Sequence, residues 1–230
     1  MRALLCTSFG GVEALSLAEI PAPSPAPGEV LVRVKAAALN FFDTLIVAGK
    51  YQVTPALPFS PAAEIAGVVE RLGAGVDGPP VGTRVHAYLG WGGASELVAI
   101  SADRLVAIPD PIDDPVAAGL SVPYGTAMHG LVDRAKLGAG ETLLVLGAAG
   151  GAGLAAVEIG AKLGARVIAA ASSGDKLAVA AEHGASAGID YATESLRGRS
   201  NDLTGGGGVD VVYDCVGGAH AEPAFRSIAW

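Results

Sequence analysis

Cysteine is nearly absent from this chain of 230 residues: only Cys6 and Cys215 are present, far apart in sequence. That excludes a disulfide framework and leaves both, in strand-like runs, as expected buried free thiols of a reducing compartment. No apolar run reaches the roughly 18 residues needed to cross a bilayer. The opening residues Met1 to Cys6 meet Gly10-Gly11 too soon for a secretory leader, so a cytoplasmic protein is expected. Basic charge is also short: 15 Lys and Arg against 23 Asp and Glu give −8, which argues against nucleic acid as the main partner. His86, His129, His183 and His220 are scattered, and two distant cysteines without a nearby histidine make no zinc site.

Apolar residues are plentiful, at 51%, enough for a real core. Their pattern changes along the chain. Residues 1–112 read as short strands between Gly and Pro turns, which suggests a small β-barrel. In residues 29–35, Val30, Val32 and Val34 share one face of a strand, after a rigid proline-rich connection. Residues 64–72, 84–89 and 95–100 read as further strands.

Residues 113–230 read differently. Residues 117–137 are alanine-rich and broadly helical, interrupted near Pro123. Strands at 141–146, 166–171, 188–191 and 209–215 then alternate with helices at 154–163 and 176–183, the signature of a parallel sheet covered on both faces. The run Gly205 to Gly208 lacks a following Lys-Ser/Thr and reads as a turn rather than a phosphate loop.

The most informative segment is Leu143 to Gly153, LLVLGAAGGAG: a strand, a glycine-rich turn, then a helix. This layout presents backbone N–H groups and a helix N-terminus to a pyrophosphate. The next strand ends in Ser172-Ser173-Gly174-Asp175-Lys176, without the acid that usually grips the ribose 2′-hydroxyl of NADH. Two hydroxyls and a cation suit a 2′-phosphate, so NADPH is the expected cofactor. Asp175 lies past the strand end and reads as a cap for the following helix.

Several motifs carry a family resemblance: Asn40-Phe41-Phe42-Asp43, Gly49-Lys50-Tyr51, Leu57 to Gly67, Tyr124-Gly125-Thr126-Ala127, Ala148 to Gly153, and Val216-Gly217-Gly218. Through them the chain resembles the zinc-independent quinone oxidoreductases of the medium-chain dehydrogenase/reductase superfamily, related to zeta-crystallin. The resemblance implies an α/β protein: a GroES-like β-barrel domain, then an incomplete Rossmann domain with a doubly wound parallel sheet. It implies hydride transfer from NADPH to a quinone or conjugated carbonyl without metal, with the nicotinamide in the cleft between the domains. Zinc-dependent relatives carry a cysteine near the position of Asn40 and a histidine at that of Ala63.

By position, the resemblance gives Asn40 and Thr126 to the nicotinamide end and Ala149, Gly150, Gly151, Ala152 and Gly153 to the pyrophosphate. Ser172, Ser173, Lys176 and Tyr191 fall to the 2′-phosphate, and Cys215, Val216 and Gly217 to the ribose and ring. Asn40, Asp43 and Tyr51 are the catalytic candidates. Tyr51 matches a proposed proton donor of enoyl-thioester reductases, the alternative activity on this scaffold; for Asp43 the alternative is a barrel residue bonded to backbone. A dinucleotide-binding protein without turnover is the alternative from another class. Two departures fall at the mouth of the substrate cleft: Val47 where the family often has arginine, and Pro61-Ala62 where it often has Pro-Gly. Family members are longer, so the resemblance implies a C-terminally truncated chain, with the family's homodimer as the expected assembly.

Overall fold

The computed structural model describes residues Met1–Trp230. Two compact units divide the chain, Met1–Val122 and Pro123–Trp230. No helix is long and apolar enough to cross a membrane.

The first unit is built from short antiparallel strands. Strands β1 (Arg2–Cys6) and β2 (Leu15–Glu19) form a pair. After the proline-rich stretch come β3 (Glu29–Ala38), helix α1 (Phe41–Val47), β4 (Glu64–Leu72), β5 (Arg84–Tyr88), β6 (Leu97–Ser101) and β7 (Leu105–Ala107). These five strands make one sheet in the order β6-β3-β4-β5-β7. Val30 and Val32 are fully buried, and Val34 packs against the same cluster with Ile65, Val69, Val85 and Ile100, so the one-sided valine pattern does find the core. Helix α2 (Asp114–Ala118) packs Ala117 and Ala118 on Ala66 and Ile108, with Asp113 as its cap.

The second unit begins irregularly. The helical reading of residues 117–137 is broken: α2 stops at Gly119, and π-helical turns at Ser121–Gly125 and His129–Arg134 flank the short α3 (Thr126–Met128). Pro123 has no N–H to give, and Gly119, Gly125 and Gly130 add backbone freedom, so an α-helical ladder does not propagate here. Then β8 (Thr142–Leu146), α4 (Gly151–Lys162), β9 (Arg166–Ala171), α5 (Gly174–Glu182), β10 (Ala187–Asp190), α6 (Leu196–Leu203), β11 (Val211–Asp214) and α7 (Ala221–Phe225) follow. The four strands are parallel in the order β10-β9-β8-β11, the 3-2-1-4 order of a Rossmann sheet. Both faces are covered: Leu143 and Val145 join one core cluster, Leu144 and Leu146 the other.

Two local expectations are corrected. Cys6 is buried, but Cys215 lies just beyond the end of β11 and is exposed. The cap of α5 is Ser173, whose hydroxyl accepts from the Lys176 N–H, while Asp175 sits in the first turn, where its charge complements the helix dipole.

One close approach sets the turn between β8 and α4. A Cβ on Gly153 would lie 2.2 Å from the Gly147 carbonyl oxygen. Gly153→Ala must therefore push α4 away from the strand end. The expected loss is about 2 kcal/mol or more in chemical denaturation, in the upper part of the overpacking range; an unchanged midpoint would contradict the packing described.

Candidate functional site

In the second unit every sequence-predicted residue except Thr126 falls near the carboxyl ends of the parallel strands, where open α/β sheets bind ligands. Gly147, just after β8, has φ 67°, and the Gly150 N–H donates back to its carbonyl at 2.9 Å. Gly150 is the cap residue of α4, and no side chain caps that helix. The amides of Gly151, Ala152 and Gly153 open its first turn, where N–H groups have no partner within a helix. With Ala149 they form a run of backbone donors at the positive end of the helix dipole, which fits a pyrophosphate; the Gly150 N–H is already taken by the Gly147 carbonyl, so Gly150 shapes the turn rather than donating.

At the end of β9, Ser172 and Lys176 are exposed, and the lysine Nζ donates to Ser172 Oγ at 2.9 Å. Tyr191 follows β10, and its N–H donates to the Ala171 carbonyl at 3.0 Å, which brings it beside the β9 end. Its ring lies tilted against His220, with centroids 4.3 Å apart and the planes 39° from parallel. After β11, Asp214 Oδ1 accepts from the N–H groups of Val216 and Gly217, both at 2.8 Å, and so shapes the Cys215–Gly217 turn. A Cβ on Gly147 would meet Val216 Cγ2 at 3.0 Å, so this turn borders the glycine turn. Thr126 opens α3, which packs on α4, and is exposed. Away from these residues, Tyr124 donates to Glu158 at 2.6 Å. The carboxylate's hydrogen bond pushes the phenol up to about 12.

The first unit holds Asn40, Asp43 and Tyr51. Asn40 precedes α1, and its backbone N–H donates to Asp43 Oδ2 at 2.7 Å. The other carboxylate oxygen of Asp43 accepts from the Ala62 N–H at 3.0 Å. Ala62 has φ 69°, a conformation that costs a non-glycine residue on the order of 1–2 kcal/mol and here is held by that bond. Burial pushes the Asp43 carboxyl up from 3.8, while the Asn40 and Ala62 donors pull the other way. Tyr51 lies against Phe42, with ring centroids 5.3 Å apart, beside a cluster of Cys6, Ile46, Val47 and Phe59. A hollow of about 80 Å³, lined among others by Leu4, Leu15, Leu39, Val47 and Pro61, adjoins Asn40 and Asp43.

Sequence reasoning gave no role to Glu64, yet this residue is 0% exposed and has both oxygens engaged. Its Oε1 accepts from Asn40 Nδ2 at 2.9 Å and its Oε2 from the Val122 N–H at 2.8 Å. Two residues along β4, Ala66 faces His86 on β5 across the ladder. His86 Nε2 lies 2.5 Å from Ser121 Oγ. The available signal was an acid opening the otherwise apolar run Glu64 to Val69, where an unpaired charge would not be buried.

A GroES-like antiparallel unit and a four-stranded Rossmann sheet with a glycine turn define the dehydrogenase/reductase class of dinucleotide-binding folds. Residues 26–110 match the alcohol dehydrogenase GroES-like domain, and residues 151–229 the zinc-binding dehydrogenase domain. A quinone oxidoreductase of Pseudomonas aeruginosa is 40% identical over 223 residues, covering 96% of this chain and 68% of that protein. Rat quinone oxidoreductase-like protein 2 is 38% identical over the whole chain, which spans 65% of the relative's length. A probable oxidoreductase of Mycobacterium abscessus superposes with TM-score 0.93 at 37% identity, covering 100% of this chain and 72% of that one. A mycobacterial structure complexed with NADPH gives TM-score 0.91 at 33% identity, with 100% and 71% covered. The chain belongs to the quinone oxidoreductase family of the medium-chain dehydrogenase/reductase superfamily.

Burial holds His86 below its usual 6.5, with the Glu64 charge acting in the opposite sense. The unfolded chain therefore binds this proton more readily than the folded one, and stability present above pH 6.5 is lost as pH falls towards the folded value. Urea midpoints measured between pH 8 and 5 should show this decline, and His86→Gln should flatten part of it; an identical slope in the variant would contradict the assignment.

Proposed function

We propose that this chain is an NADPH-dependent oxidoreductase that reduces a quinone or other conjugated carbonyl without a metal. The observation that carries the reading is the non-acidic end of β9, where Ser172 and Lys176 meet beside Tyr191. A carboxylate there would repel a 2′-phosphate; a hydroxyl and an ammonium attract it. The backbone donors of Ala149, Gly151, Ala152 and Gly153 hold the pyrophosphate across the turn shaped by Gly150, and the Cys215–Gly217 turn borders the ribose. Bound there, the dihydronicotinamide supplies a hydride.

The remaining roles belong to side chains that position rather than react. Asn40 and Thr126 serve the nicotinamide end. Asp43 has both oxygens on backbone donors, so it fixes the Asn40 and Ala62 loops rather than carrying a proton to substrate. Tyr51, with its ring on Phe42, offers a flat apolar wall to a planar acceptor. The metal-free reading is supported by the donor set: Asn40 and Ala63 occupy the positions of zinc ligands in zinc-dependent relatives, and no three His, Cys, Asp or Glu side chains converge. Holding donor and acceptor together is then the main source of rate, with the hydride chemistry left to the cofactor.

Titration with NADPH and NADH, followed by nicotinamide fluorescence, tests this directly. NADPH should bind at least about tenfold more tightly, and Lys176→Ala should remove most of that preference while leaving NADH affinity unchanged. Equal affinity for the two dinucleotides, or no binding of either, would sink the reading.

A further inference from the structure

Glu64 is the one fully buried carboxylate in the chain, and the proposed chemistry gives it no direct task. Its surroundings specify what it does. As a carboxylate it has acceptors only, and each oxygen already takes one N–H, from the Asn40 side chain and from Val122. An asparagine amide has two chemically different ends, NH₂ and C=O. Only the NH₂ end can face Glu64; the reverse orientation would set the amide oxygen against a carboxylate oxygen in a buried site. The Asn40 backbone is fixed separately, by Asp43 Oδ2. Main chain and side chain are thus held by two different acids, and the Asn40 carbonyl is directed away from Glu64.

We propose that Glu64 is a positioning residue that fixes the polarity of Asn40: the NH₂ faces the carboxylate, and the amide oxygen is left to the capping box with the Asp43 N–H at the start of α1 and to a ligand beside it. The amide oxygen has two lone pairs, so the cap leaves one for a ligand donor, a hydroxyl or an amide N–H. Assigning that ligand to the nicotinamide end of NADPH rests on the function proposed above; the orientation of the amide does not.

Only three side chains of this protein carry an amide, Asn40, Gln52 and Asn201, so their NH₂ pairs are readily resolved in a ¹⁵N spectrum. The Asn40 pair should exchange with solvent at least about tenfold more slowly than that of the exposed Asn201. In Glu64→Gln that protection should be lost: the introduced glutamine can accept from Val122 only by turning its own NH₂ towards Asn40. Asn40→Asp alone sets two carboxylates face to face. The double variant Glu64→Gln/Asn40→Asp restores one donor and one acceptor across the contact and again leaves an oxygen outward. NADPH affinity should fall about tenfold in each single variant and return to within about threefold of the parent in the double variant. Retained Asn40 protection in Glu64→Gln, or losses that merely add in the double variant, would overturn the assignment. A variant that only loosened the fold would lower the denaturation midpoint without this reciprocal rescue. If the parent shows the protected amide but binds no NADPH, the cofactor reading fails and the positioning of Asn40 stands.

Discussion

The separation between Gly147 and Gly153 constrains everything proposed for the second unit. With no Cβ at position 153, the first turn of α4 closes onto the end of β8, and the helix amides arrive where the strand stops. Any side chain there would meet the Gly147 carbonyl well inside van der Waals contact. The same approach brings the Cys215–Gly217 turn alongside, because Gly147 also has no side chain to hold Val216 off. Two absent methyl groups, at Gly153 and Gly147, thus set the donor run with its dipole end and the neighbouring turn. Selectivity between dinucleotides is added elsewhere, at the ends of β9 and β10.

The first unit solves a different problem. It must aim a neutral amide with certainty, and it does so with buried acids. Asp43 commits both oxygens to backbone donors and holds Ala62 in a conformation that glycine would adopt more readily. Glu64 commits one oxygen to the Asn40 side chain and the other to the last backbone donor of the unit. Removing one partner from such a pair leaves an unsatisfied buried group, which costs more than the bond itself contributes. These acids therefore act as alignment devices more than as sources of net stability.

Much of this was legible in the residues. Strand β9 and strand β4 have the ends read from their apolar runs, and the glycine turn declared its strand and helix. Other features were hidden for physical reasons. Helix α6, LRGRSNDL, has no apolar stripe and a glycine inside it, so no 3.6-residue period marks it. Its existence depends on the Ser195 cap and on Leu196 entering the core. The π-helical turns arise where Pro123 and Gly130 frustrate an alanine-rich helix, which composition alone reads as continuous. The cap of α5 went to Ser173 rather than Asp175 because the extended backbone needed by a cap falls at the strand end. Glu64 stands inside the Leu57 to Gly67 motif, but its partners lie 24 and 58 residues away, and no local pattern reports them.

In the proposed complex the end of β9 reads a 2′-phosphate while the turn before α4 holds the pyrophosphate. A crystal structure of the chain with NADPH tests both halves at once. The 2′-phosphate should lie within hydrogen-bond distance of Ser172 Oγ and Lys176 Nζ, with pyrophosphate oxygens on the amides of residues 151–153. A dinucleotide bound with its 2′-phosphate in solvent, away from Ser172 and Lys176, would contradict this arrangement.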